Sequence, residues 1–151
     1  MVKTLDARTS QGSNGTGELN LDNFINGIPL LMAQVGLQVK NPGPWLRTFF
    51  SGTINLTAYN LPSQGSLGIE VYRESDGIQA LVYFSYVIVR GNRLVSPCTL
   101  TFNGSDYNVP APSSGQVTYT VYSVFTYNPQ YSITNFRIGP ESFNATIYSD
   151  D

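Results

Sequence analysis

Apolar and polar residues alternate one by one through most of this chain, in short runs separated by turn residues. That rhythm constrains the fold more than any other feature. A period of two sends successive side chains to opposite faces of an extended strand, whereas a helix needs a repeat near 3.6. Ile54, Leu56 and Ala58 alternate with Thr53, Asn55 and Thr57, and Leu67, Ile69 and Val71 with Glu70 and Tyr72. Val117, Tyr119, Val121 and Phe125 alternate with Thr118, Thr120, Tyr122 and Thr126, and Phe143, Ala145 and Ile147 form a last inward set. Only Pro29 to Leu37 also reads as a helix, and the alternation of Val35, Leu37 and Val39 favours a strand there.

Turn chemistry divides these runs. Asn41-Pro42-Gly43-Pro44, Leu61 to Ser66, Gly91-Asn92, Asn103-Gly104, Pro110 to Gly115, Asn128-Pro129 and Gly139-Pro140 all read as breaks. Asp76-Gly77 is the strongest hairpin signal, because a tight two-residue turn needs positive φ at both central positions. Pro97 places its residue at an edge or bulge. Roughly eight strands at this spacing predict an all-β, antiparallel β-sandwich. A jelly roll is preferred to an immunoglobulin-type sandwich, since Trp45 stands without flanking cysteines.

Ile78 to Arg90 departs from strict alternation. Ile78, Ala80, Val82, Phe84, Tyr86 and Ile88 oppose Leu81, Tyr83, Val87 and Val89, so both faces are apolar and both are expected to be covered. In a sandwich the second cover is often another subunit or a crossing segment. Tyr83, Val87 and Val89, with Tyr122 and Tyr148, are therefore the expected subunit contacts. Tyrosine suits that role, since its ring packs while its hydroxyl stays bonded.

Residues 1–18 are polar and glycine-rich around Ser10-Gln11-Gly12-Ser13-Asn14-Gly15-Thr16-Gly17. Too little apolar area is available there to offset the entropy of ordering, which predicts a flexible arm ahead of a sandwich domain at 19–151. Val2, Thr4 and Leu5 at its start are β-prone and suited to adding a strand to a neighbour's sheet.

Side chains for catalysis are sparse. The chain has no histidine and a single cysteine, Cys98, which removes Ser-His-Asp and Cys-His sites, cysteine-cluster metal sites and internal disulfides. Cys98 reads as a small hydrophobe within a strand. Glu70, Glu74 and Asp76 are the only carboxylates a strand and turn would gather for glycoside hydrolysis, and they read more simply as turn and surface residues. No enzymatic activity and no cofactor are expected. Calcium is the one ion with suitable oxygens on offer, at Asp22, Asn23, Asp76, Asp106, Asp150 and Asp151, without EF-hand spacing.

A net charge of -2 and scattered basic residues argue against nucleic acid. Charged residues make up 12% of the chain, about half the usual share, so little long-range repulsion keeps copies apart. No apolar run is long enough to span a membrane, and the first residues lack the pattern of a secretory signal. Two functions follow. The first is a structural subunit that assembles with copies of itself; the second is a carbohydrate-binding module that stacks sugars on its tyrosines.

The arm Met1 to Glu18, the long strands Ile78 to Arg90 and Val117 to Tyr127, and the closing Gly139-Pro140-Glu141-Ser142-Phe143-Asn144-Ala145-Thr146-Ile147-Tyr148 give the chain a familiar texture. It resembles the subunits of bacterial endospore appendages, and also the tumour-necrosis-factor-like jelly rolls of exosporium proteins. Virion capsid and spike subunits share the same build. The resemblance implies a pilus-like filament on a cell or spore surface, with the arm of one subunit docked into the next and an anchor protein at the base. Appendage subunits joined by disulfides carry cysteines in the arm, and this arm has none, so assembly here is expected to be non-covalent.

Overall fold

The Asp76-Gly77 pair makes the tight turn its sequence asks for, with φ of 49° and 78° at its two central residues. It joins two long strands in register, Ser75 opposite Ile78 and Gln64 opposite Arg90. The computed structural model describes residues 2–13, 24–59, 64–90, 98–130 and 134–150. Its strands are β1 (Val2–Ser13), β2 (Leu30–Gln38), β3 (Trp45–Tyr59), β4 (Gln64–Ser75), β5 (Ile78–Arg90), β6 (Cys98–Pro110), β7 (Gln116–Tyr127) and β8 (Thr134–Asp150).

Two four-stranded antiparallel sheets pack face to face, in the orders β1-β8-β3-β6 and β2-β7-β4-β5. The pairing is nested: β1 with β8, β2 with β7, β3 with β6 and β4 with β5. Such wrapping of one long antiparallel ribbon into two sheets is the jelly roll. The inward residues of the alternating runs meet between the sheets. Ile54 and Leu56 of β3 and Phe143 and Ile147 of β8 face Leu67, Ile69 and Val71 of β4 and Val117, Tyr119 and Phe125 of β7, all buried.

Two expected turns are absent. Asn103-Gly104 lies inside the continuous β6, with Gly104 opposite Phe50 of β3. A Cβ at Gly104 would stand 2.6 Å from the Phe50 ring and 2.7 Å from the Tyr83 ring, so packing rather than turning requires glycine there. Gly139-Pro140 lies inside β8, where the register jumps from Ile138 opposite Asn55 to Ser142 opposite Thr53. This bulge is held from within. Asn55 donates to the Pro140 carbonyl, and Arg137 and Glu141 form a buried bidentate ion pair across it. Gly91-Asn92 and Pro97 lie outside the described residues, as do residues 14–18 of the predicted arm.

Residues 2–13 correct the expectation of a flexible arm. They form β1, an edge strand on β8, from Val2 opposite Asp150 to Ser13 opposite Glu141. The missing cover is supplied by the chain's own sheet: the backbone of β8 satisfies β1, so little apolar side-chain area is required of it. None of its described side chains joins the buried core, and Leu5 alone packs partly against it.

Candidate assembly surfaces

The edge strand β1 is held at three kinds of contact. Its backbone pairs with β8, Thr9 Oγ1 donates to Asn144 Oδ1, and the Asp6 carboxylate accepts the Gln38 N–H of β2. Asp6 thus ties the edge of one sheet to the edge of the other. Burial acts to raise its pKa, but hydrogen bonds from Gln38, Arg8 and Ala7 outweigh burial and hold the carboxyl below its usual value. Of the three arm residues singled out by sequence, Val2 and Thr4 are exposed along the edge, and Leu5 sits half-buried at a register shift between Thr4 and Asp6.

The second surface is the outer face of β2-β7-β4-β5. Strand β5 is the edge of that sheet, and a bulge near Val82 sets its two faces. Leu81 lies opposite Tyr72, Phe84 opposite Glu70, Tyr86 opposite Gly68 and Ile88 opposite Ser66, all on the solvent side. These four apolar side chains are 52%, 57%, 59% and 44% exposed. Tyr83, Val87 and Val89, expected as subunit contacts, instead point inward and pack against the core. The two-faced apolar pattern of this strand is real, but the bulge exchanged the residues assigned to each side, and within the chain only one side is covered.

Tyr122, also an expected contact, lies on this outer face with its ring edge-on to Tyr72, centroids 5.8 Å apart. The Tyr72 hydroxyl donates to Glu70, and that hydrogen bond foremost, then burial and the Glu70 charge, raises the tyrosine pKa. With Pro29 and Gln79 these residues line an open hollow of about 230 Å³. Tyr148 lies on the opposite side of the molecule. Its ring meets Phe49 edge-on, and Phe49 also meets Tyr107. The five expected contacts therefore divide between the core and two opposite faces.

The carboxylates considered for chemistry have structural partners. Asp76 accepts the N–H groups of Ser113 and Ser114, which lower its pKa. Asp106 joins Arg73, Tyr119 and Thr48 in a polar cluster that crosses between the sheets. Burial foremost, then the Asp106 charge, drives the Tyr119 pKa far up. Asp150 pairs with Arg47. Among the described residues no three His, Cys, Asp or Glu side chains cluster as metal ligands; Asp22, Asn23 and Asp151 lie outside them. Cys98 opens β6 half-buried, and burial raises its thiol pKa.

The interior cluster and the Arg137–Glu141 pair escaped sequence reading, since an arginine four residues before a glutamate in a strand with a bulge has no local signature. Arg73 carries the one buried side-chain nitrogen without a hydrogen-bond partner among the described residues, at Nε.

No family model matches the chain, and no curated protein matches it, so nothing at the level of sequence ties it to endospore appendages or exosporium proteins. Several solved structures resemble it. A chain in the structure of infectious bursal disease virus Gt strain is 11% identical at a TM-score of 0.50, over 99% of this chain and 36% of that one. The VP2 subviral particle of the same virus matches at 10% identity and 0.47, over 99% and 36%. Eiger TNF from S. frugiperda matches at 12% identity and 0.44, over 82% and 69%. The chain spans about a third of the length of those virus chains.

Proposed function

We propose that this protein is a self-assembling structural subunit of a surface filament, its copies joined by strand addition of β1. The observation that carries this reading is the peripheral seat of β1. It is paired along nearly its whole length with β8, yet it adds no buried side chain to the core. The backbone pairs, the Asp6–Gln38 bond and the Thr9–Asn144 bond are the same whichever copy supplies the strand, so exchange between copies sacrifices no contact. Ten residues, 14–23, separate Ser13 from Phe24. Fully extended they reach up to about 35 Å, comparable to the width of a small domain. Exchange passed in one direction, from copy to copy, gives an open chain, whereas reciprocal exchange closes a dimer.

A cysteine pair tests it. Thr9→Cys with Asn144→Cys, in a Cys98→Ser background, places the two thiols on facing exposed positions. Oxidation at high protein concentration should give a ladder of cross-linked species on a non-reducing gel, with filaments in negative stain. Deletion of residues 1–13 should leave a folded protein without filaments. A single intramolecular product at every concentration, or filaments formed by the deletion variant, would refute strand addition. Closed dimers alone would refute the filament.

A further inference from the structure

We infer that the outer face of β2-β7-β4-β5 is a two-fold interface with a second copy of this chain, centred on the β5 strip Leu81, Phe84, Tyr86 and Ile88. The inference deepens the assembly reading by adding a contact that does not use β1.

Contiguous exposed apolar surface of this kind marks an interaction site on a soluble domain, and a long apolar edge strand whose one charge is the terminal Arg90 favours association further. The size of the face suits a dimer. Strands of 12 and 13 residues, β4 and β5, run along it. At about 3.3 Å per residue and about 4.8 Å between strands, four strands present roughly 40 by 19 Å, close to the roughly 800 Å² per partner of a stable interface.

The charges identify the occupant. At the turn end of the β4–β5 hairpin Glu74 sits opposite Gln79, and at the far end Arg90 sits opposite Gln64, both on the outer side. A two-fold axis through the middle of the strip runs the two hairpins antiparallel. Each Arg90 then approaches the Glu74 end of its partner, twice per dimer, while the apolar strip meets its own copy. A surface with opposite charges at its two ends and an apolar centre is complementary to itself, which is what an isologous contact requires. Glu70 is the acid nearest the centre, and its carboxylate already accepts the Tyr72 hydroxyl.

The test isolates this contact from strand exchange. The Thr9→Cys/Asn144→Cys, Cys98→Ser protein is oxidised at high dilution, which pins β1 on its own β8, and the pinned full chain is then studied by sedimentation equilibrium. It should sediment as a dimer at tens of micromolar, and Phe84→Lys with Ile88→Lys should return it to monomer with unchanged far-UV circular dichroism. Arg90→Glu should raise the dissociation constant about tenfold, since it sets like charges together, and Glu74→Arg combined with Arg90→Glu should restore it to within about threefold. A pinned protein that stays monomeric at every concentration overturns the interface, and so does a dimer indifferent to the Phe84 and Ile88 substitutions or unrestored by the double reversal. A ladder without a pinned dimer would leave strand exchange standing, and a pinned dimer without a ladder would leave only the face.

Discussion

Replacing Asp6 by alanine should loosen β1 without loosening anything else. The carboxylate accepts the Gln38 N–H at 2.9 Å, the Ala7 N–H at 2.9 Å and Arg8 Nε at 3.0 Å, and only the first of these joins β1 to another strand. Hydrogen bonds to charged groups contribute about 1.5–3 kcal/mol, and the lower end applies because Gln38 is exposed and water replaces the lost acceptor. A loss of about 1.4 kcal/mol is a tenfold change in an equilibrium constant, so the population with β1 undocked should rise about tenfold. Native-state hydrogen exchange reads this directly. Amides of β1, and those of β8 that face it, should exchange about tenfold faster in Asp6→Ala, while β4 and β7 keep their protection. The pH dependence has a definite sign. The folded pKa of Asp6 lies below its unfolded value, so its contribution is complete above about pH 4 and is lost as pH falls through the folded value. Wild type and variant should therefore converge in strongly acid solution. Uniform acceleration across all strands would mean that β1 opens only with global unfolding, and the strand-exchange reading would fall with it.

Three further outcomes follow from the interior. Arg137→Met strands the buried Glu141 carboxylate and should cost about 3–5 kcal/mol, lowering the thermal midpoint by roughly 10 °C in scanning calorimetry. Tyr119→Phe removes the hydroxyl shared by Thr48 and Asp106 and should cost about 1–3 kcal/mol by denaturant titration; a loss below about 0.5 kcal/mol would show the cluster does not tie the sheets together. Gly104→Ala should destabilise by about 1–3 kcal/mol through overpacking against Phe50 and Tyr83, whereas Gly68→Ala, whose Cβ would meet its nearest neighbours at 3.7 Å, should stay within about 1 kcal/mol of wild type.

Alternation was enough to make the all-β sandwich legible and to assign the inward residues of β3, β4, β7 and β8, because a period of two is written residue by residue. The Asp76-Gly77 turn was legible for the same local reason. Other glycines were not. Gly104 and Gly139 carry turn chemistry in the sequence, but whether a glycine bends the chain or makes room for a ring depends on what lies across the sheet, and Phe50 is distant in sequence from Gly104.

The candidate surfaces divide in the same way. That Ile78 to Arg90 is apolar on both sides was plain, yet one bulge near Val82 decided that Phe84, Tyr86 and Ile88 face solvent and that Tyr83, Val87 and Val89 face the core. A single extra residue flips every side chain beyond it, and no local pattern announces it. The polar leader likewise lacked apolar area of its own, and only the open edge of β8 supplied the backbone partners that make it a strand. Short-range periodicity is a property of the chain alone; bulges, edges and pairings over a hundred residues apart arise from the energy of the assembled sheets, and these determined which surfaces remain free for another copy.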